Sequence, residues 1–219
     1  MSVKLISYSQ PPVNEQNITA QELVAFCARV SNPANQYNSE TADKLINYLI
    51  KNKHWSPLEM VSVCLEVNTT RDIARQMLRH RSFSFQEFSQ RYADPVKELN
   101  FVTREARLQD LKNRQNSIEV DDSLLQESWK QKQLDIIQHA KDAYTWAIEH
   151  GIAKEQARAV LPEGLTESRL YINGTLRSWI HYIQLRTDVS TQKEHREIAF
   201  ECSKVISTVF PLIESYGTS

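Results

Sequence analysis

Four glycines, Gly151, Gly164, Gly174 and Gly217, are all that 219 residues contain, and no two lie close together. A Rossmann-type dinucleotide fold or a P-loop needs several glycines in one turn, because only a residue without a Cβ lets backbone N–H groups close on a phosphate. Neither can be built from this chain. Any nucleotide bound here has to be held mainly by side chains.

The side chains suited to that task are concentrated in one stretch, Arg79-His80-Arg81-Ser82-Phe83-Ser84-Phe85-Gln86-Glu87-Phe88-Ser89-Gln90-Arg91-Tyr92. Its skeleton is R-H-R-x-x-S-x-x-x-x-S-x-R, in a chain whose formal net charge is only −1. Arginine offers a rigid, permanently charged fork that matches phosphate oxygens in pairs. Serine hydroxyls and the N–H groups of a turn complete a cradle for the same anion. Gln76 and Arg79, three apart on a helix, address one ligand from one side. Ser89 and Arg91 alternate on extended chain and share a face. Glu87 is the single carboxylate of the stretch, and either takes a ribose hydroxyl or neutralises an arginine. A solvated basic turn is the plain alternative, but the density of donors favours an anion clamp.

Around this stretch the apolar pattern predicts few strands and many helices. A strand is expected over 3–8, broken by Pro11-Pro12, and a helix over 19–29 capped by Thr19, with Leu23, Phe26, Cys27 and Val30 inward. A second helix follows over 40–51, with Leu45 and Leu49 inward. Residues 60–67 alternate, with Val61, Val63, Leu65 and Val67 on one face, so they form a strand. Residues 71–78 change to helical period: Ile73, Ala74, Met77 and Leu78 make an apolar stripe, and Arg71, Arg75 and Arg79 line another face. Residues 103–122 are polar and without period, which predicts a long, mobile excursion. Ser123 is expected to cap a helix reaching His150 and stopped by Gly151, with Leu124, Trp129, Leu134, Ile137, Ala140, Tyr144 and Ile148 as its apolar positions. A short helix over 154–160, a strand over 167–173 and helices over 175–185 and 191–210 complete the chain. The expected architecture is α+β: one helix-rich domain over 1–219 with a small, mostly antiparallel sheet.

Composition excludes several functions. The chain is 41% hydrophobic and 24% charged, an ordinary globular balance. Near-zero net charge argues against a dedicated nucleic-acid binder. No apolar run is long enough to span a bilayer, and the first residues lack a signal peptide's apolar segment. Cys27, Cys64 and Cys202 are isolated and read as core residues of a reduced, cytoplasmic protein. None lies in a cationic turn that would make it a nucleophile, and no G-x-S-x-G elbow exists. The six histidines form no zinc spacing, so no metal is expected. His139 and His150 belong to the long helix and read as solvated, whereas His54 and His80 flank polar turns and are better site candidates. Arg177, His181 and Gln184 share one helix face, with Arg186 about half a turn out of phase.

The 79–91 signature resembles that of the flavin-dependent thymidylate synthases at Arg79, His80, Arg81, Ser84, Ser89 and Arg91. His54-Trp55-Ser56-Pro57-Leu58-Glu59, Ala157-Arg158 with Leu161-Pro162, and Leu185-Arg186 with Asp188 follow in that family's order and similar spacing. The resemblance implies methylation of dUMP to dTMP, with 5,10-methylenetetrahydrofolate as one-carbon donor. FAD, reduced by NADPH, supplies the hydride, and tetrahydrofolate is released. It implies a homotetramer with shared active sites and no nucleic-acid partner. By position, Gln76, Arg79, Glu87, Phe88, Ser89, Gln90, Arg91, Arg158 and Arg186 are similar to the dUMP site. His54, Ser56, Glu59, Arg79, His80, Arg81, Thr175, Arg177 and His181 are similar to the FAD site. Arg186 corresponds to the catalytic position, where a cation favours the N3-ionised uracil. The chain departs from the family pattern at Gln86 and Thr175, where asparagine is common, and at Ser190, where histidine is frequent.

Overall fold

The computed structural model describes residues 1–11 and 18–217, so Pro12 lies outside the described residues. In chain order the elements are strand β1 (Ser2–Tyr8), helices α1 (Ala20–Ala28) and α2 (Ala42–Lys51), β2 (Ser62–Thr70), α3 (Arg71–Met77), β3 (Ser84–Glu87) and α4 (Pro95–Glu98). Then follow β4 (Arg107–Gln109), β5 (Ser117–Glu119), α5 (Ser123–Glu149), α6 (Lys154–Ala157), β6 (Glu167–Thr175), α7 (Leu176–Arg186) and α8 (Lys193–Ser207). The main sheet has the order β1-β2-β6-β3, and β4 pairs only with β5. Cross-strand partners run in opposite directions along the sheet. Ser9 N meets Ser62 O while Lys4 faces Glu66, and Phe88 N meets Arg169 O while Phe83 lies against Gly174. The fold is a helix-rich α+β with a small antiparallel sheet, as the pattern of elements predicted.

The chain falls into two compact units. One comprises Met1, 68–79 and 86–170; the other comprises 2–67, 80–85 and 171–219 as far as described.

In the second unit the alternation of 60–67 is realised: Val61 is 1% exposed and Val63, Leu65 and Val67 are fully buried. The Trp179 indole N–H donates to the Val63 carbonyl at 3.0 Å, satisfying a polar handle inside the core. Helix α1 starts at a capping box, in which the Glu22 N–H donates to the Thr19 hydroxyl and the Thr19 N–H donates to the Glu22 carboxylate. Its buried face differs from the expected one. Val24 and Ala25 are inside, while Val30 is 71% exposed. Gln21 sets the phase, because its amide donates to Asp43 and its oxygen accepts from Leu212 N, so a polar side chain can be buried there. Helix α2 begins at Ala42, two residues later than expected, where the Arg29 guanidinium bonds the Thr41 hydroxyl at 2.7 Å. The final helix is also shorter than expected: α8 ends at Ser207, and Pro211 opens a separate 3-10 turn.

Gly174 is a glycine that close packing demands. A Cβ there would lie well inside contact with the Phe83 ring, which is itself wedged edge-on against the buried Trp179 with centroids 4.6 Å apart. Gly174→Ala should cost ~1–3 kcal/mol by overpacking, read as a lowered thermal midpoint; an unchanged midpoint would show that the ring yields.

In the first unit, the 103–122 segment is not an unstructured excursion. It forms the β4–β5 hairpin, with Leu108 opposite Ile118. Two glutamines one heptad apart on α5 hold its base: Gln133 bonds Arg104 N and O, each at 2.8 Å, and Gln126 bonds Ala106 N and O at 2.7 and 3.0 Å. Those amides supply the partners that a periodicity search cannot register. The cap of α5 is Asp122, whose carboxylate accepts from Leu125 N at 3.0 Å, and Ser123 is the first helical residue. Gly151 ends the helix at φ +76°. Ile137, Ala140, Tyr144 and Ala147 of α5 are buried, but Leu124, Trp129 and Leu134, also among its apolar positions, are 80%, 43% and 41% exposed. Tyr144 and Ala147 pack with Ala157 and Leu161, which fastens the Arg158 segment to the helix. No helix among the described residues is long and apolar enough to cross a membrane.

Candidate active site

The chemistry-bearing side chains form two groups, one in each unit. In the first unit α3 presents Arg71 and Arg75, one turn apart, to a cleft of about 360 Å³ that is also lined by Gln90, Glu155, Arg158, Leu161 and Glu163. The start of α3 is locked: the Arg104 guanidinium reaches both Asp72 carboxylate oxygens at 2.7 and 2.8 Å and the Thr70 hydroxyl at 2.8 Å. Glu87 accepts from the Ser168 hydroxyl at 2.8 Å and faces Arg71 at 3.5 Å, so it positions an arginine of the cleft. Arg75 pairs with Glu163 at 2.5 Å and Arg91 with Glu155 at 3.8 Å, all four side chains being about half exposed. Such open pairs are exchangeable, since each is worth about 1 kcal/mol or less. The Arg158 Nε–H donates to the Glu155 carbonyl at 3.3 Å.

Gln90 departs from this pattern of satisfied groups. It is 3% exposed and lines the cleft, yet its amide nitrogen has no hydrogen-bond partner. Leaving a buried donor unmade costs about 1–3 kcal/mol, and a ligand acceptor in the cleft would recover that cost. Phe88 and Ser89 precede Gln90 in the chain: Phe88 N donates to Arg169 O at 2.8 Å, and the Ser89 hydroxyl accepts from Arg91 N at 3.4 Å. Gln76 and Arg79 belong to the same unit, at the end of α3 and just past it.

In the second unit a short 3-10 turn, Ser56–Glu59, carries Ser56 and Glu59. Glu59 pairs with Arg177 at 2.5 Å, both side chains 40% exposed. His54 and Trp55 precede the turn; Trp55 stands edge-on to His181 with centroids 4.4 Å apart, and His54 stands edge-on to Tyr48. Burial and then the Arg177 charge lower the His181 pKa. Thr175 is the N-cap of α7: its hydroxyl accepts from Ser178 N at 3.3 Å and pairs with the Ser178 hydroxyl. Arg81 is exposed. Ser190 is occupied by Asp188, which accepts from both its N–H and its hydroxyl.

Arg186, out of phase with Arg177 and His181 along α7, points to a different partner. Its Nε–H donates to His80 Nε2 at 2.9 Å. Arginine only donates, so His80 Nε2 carries the lone pair and Nδ1 the proton. Burial and then the Arg186 charge lower the His80 pKa to about 4, which keeps the ring neutral at physiological pH.

The expected site residues thus separate into a first-unit group (Gln76, Arg79, Glu87, Phe88, Ser89, Gln90, Arg91, Arg158) and a second-unit group (His54, Ser56, Glu59, His80, Arg81, Thr175, Arg177, His181, Arg186). Sequence reasoning passed over Glu155 and Glu163, and did not place Arg71 and Arg75 in a site. The i, i+4 spacing of the two arginines carried that signal; nothing in the sequence marked Glu163. It also passed over Tyr182 and His195, which are buried behind His80. The thiols differ from expectation too. Only Cys202 is buried, while Cys27 and Cys64 are half-buried. Burial raises the pKa of all three, so none is a ready thiolate.

The fold and these groups define a helix-rich α+β protein with a cleft lined by the arginines Arg71, Arg75 and Arg158. Residues 13–212 match the family model described as thymidylate synthase complementing protein, and the chain belongs to that family. A protein of Paramecium bursaria Chlorella virus 1 named probable flavin-dependent thymidylate synthase is 48% identical, the match covering 97% of each chain. The flavin-dependent thymidylate synthase of Synechocystis sp. is 45% identical, again over 97% of each. Among solved structures, the UMP/dUMP methylase PolB from Streptomyces cacaoi bound with 5-Br dUMP superposes with a TM-score of 0.82 at 26% identity, covering 98% of this chain and 93% of that one.

Proposed function

We propose that this chain is a flavin-dependent thymidylate synthase. It methylates dUMP to dTMP with a carbon unit from 5,10-methylenetetrahydrofolate and a hydride that NADPH delivers through FAD, and releases tetrahydrofolate. The relatives at 45% and 48% identity over nearly the whole chain support the reaction. The observation in the molecule that carries the reading is the partnerless Gln90 amide in an arginine-lined cleft.

In this reading the first unit holds the nucleotide. Arg79, Arg91 and Arg158 clamp the phosphate as charge-assisted donors, and Gln76, Phe88, Ser89 and Gln90 fix the nucleoside. Glu87 acts through Arg71, or reaches a ribose hydroxyl with its second oxygen. The second unit suits a flavin nucleotide. Arg81 and Arg177 are accessible cations, and Arg177 lies in the first turn of α7, where helical N–H groups also favour an anion. His54, Ser56, Glu59, Arg79, His80, Arg81, Arg177 and His181 would hold FAD. Thr175, its hydroxyl used as a cap, shapes the start of α7. When bound there, FAD would supply the hydride, drawn from NADPH, that reduces the transferred carbon. Arg186 stabilises negative charge spread over the uracil, which makes C5 the nucleophile and removes any need for an enzyme thiolate.

The domain is one functional body, and a homotetramer completes it, with each active site drawing on more than one chain. The half-exposed apolar residues of α5, Trp129, Leu134, Ile136 and Trp146, support burial against another copy. The enzyme acts in the cytoplasm, where its thiols stay reduced. The direct test is the spectrum of the purified protein. We expect a yellow protein with flavin absorbance that forms dTMP; a colourless protein that binds nucleic acid with steep salt dependence would overturn the reading.

A further inference from the structure

Behind His80 the structure places two polar side chains that no ligand can reach. Tyr182 of α7 is 2% exposed and His195 of α8 is fully buried. The Tyr182 hydroxyl and His195 Nε2 lie 3.1 Å apart. The Tyr182 ring stands edge-on to the His80 ring, with centroids 5.0 Å apart and planes at 78°. Phe83 and Trp179 close its other sides, with centroids at 6.0 and 5.8 Å. The groups facing this cluster are Arg186 and Tyr182 from α7, His195 and Cys202 from α8, and His80 itself.

A buried hydroxyl and imidazole are not needed to fill a core; leucine and phenylalanine would do so without desolvating polar atoms. Their geometry has a consequence for Arg186. The hydrogen bond to His195 sets the Tyr182 ring, the Tyr182 ring sets the plane of His80, and His80 Nε2 receives the Nε–H of Arg186. With Nε fixed, the two terminal nitrogens of the guanidinium keep one orientation for a planar ligand. We propose that Tyr182 and His195 are positioning residues for the thymidylate synthase reaction: through His80 they orient the Arg186 guanidinium toward the uracil ring.

This inference rests on the assignment of Arg186 to the uracil, so the two need separable tests. A protonated His80 would confront Arg186 with a donor and a like charge, and the orientation would be lost. Burial and then the Arg186 charge keep the His80 pKa at about 4, so acid has little effect on the intact cluster above about pH 5.5. If the cluster opens and water enters, the His80 pKa rises toward its ordinary value of about 6.5. The rate should then fall as pH drops through that value. A general loss of packing would also disturb flavin reduction and dUMP binding, which a positioning role leaves unchanged.

The experiment follows the holoenzyme with NADPH-reduced flavin, measuring its oxidation by methylenetetrahydrofolate plus dUMP from pH 5.5 to 8. His195→Leu should slow this step at least about tenfold at pH 6, with an acid limb near pH 6–6.5 that the parent lacks. Flavin reduction by NADPH and the Kd for dUMP should stay within about twofold. His195→Gln, whose amide reaches the Nε2 position, should restore most of the rate and the flat profile. If His195→Leu fails to fold, Tyr182→Phe, which keeps the ring, carries the same expectation. Arg186→Lys in parallel separates the two failures. If it is normal in this step, the assignment of Arg186 falls. If it is slow while the His195 and Tyr182 variants are normal, or slow with no shift in pH profile and no rescue by glutamine, the positioning role alone falls.

Discussion

Arg186→Lys should purify yellow and be reduced by NADPH at a normal rate, yet oxidise its reduced flavin with methylenetetrahydrofolate and dUMP about 100-fold more slowly or worse. The reasoning is differential: an arginine that meets charge developing on the uracil contributes to the transition state more than to nucleotide binding. Removing one such donor costs on the order of 10²–10³ in rate. Lysine keeps the charge but has neither the planar fork nor an Nε–H to give to His80 Nε2, the contact now made at 2.9 Å. The measurement is the pair of half-reactions on one anaerobic preparation. A normal second half-reaction would leave Arg186 with a structural role only.

Arg158→Ala should weaken dUMP by roughly 10- to 150-fold, the equivalent of a charge-assisted bond of about 1.5–3 kcal/mol, while FAD content stays unchanged. Arg158 is a cleft residue of the first unit, whereas the proposed flavin residues belong mainly to the second, and its segment is fastened to α5 through Ala157 and Leu161, so the loss should be local. Deoxyuridine, which lacks the phosphate, should bind parent and variant equally poorly. A variant that loses flavin and keeps dUMP would reverse the division of roles. Arg91→Ala should act in the same direction but less strongly, because Arg91 is half exposed and already shared with Glu155.

How far the site was legible depended on what kind of signal each residue left. Arg79, His80, Arg81, Ser89 and Arg91 stand in one dense run, so their concentration alone drew attention to an anion clamp, whereas their division between the two units shows only in the structure. Arg186 was separable from Arg177 and His181 by helical phase, and the structure gives them different partners, His80, Glu59 and Trp55. Glu163, His195 and Tyr182 left no such trace. Each matters through a neighbour distant in the chain: Glu163 pairs with Arg75, and His195 bonds Tyr182. Local pattern cannot report a partner that only folding brings near.

The same division runs through the fold. Alternation over Val61–Val67, the stripe of Ile73, Ala74 and Met77, and the Thr19 cap are short-range properties, set by side-chain period and by backbone donors within a turn. They were readable because everything they need lies within a few residues, and the scarcity of glycine excluded glycine-loop folds on equally local grounds. Tertiary structure alone decided the rest. The phase of α1 follows the Gln21 bonds to Asp43 and Leu212. Residues 103–122 became a hairpin because Gln126 and Gln133 satisfy the backbone at its base. Trp129 and Leu134, apolar positions of α5, stayed 43% and 41% exposed, which helical period alone does not reveal. Periodicity tells which face of an element wants a partner; which atoms arrive to satisfy it is settled only when the distant segments meet.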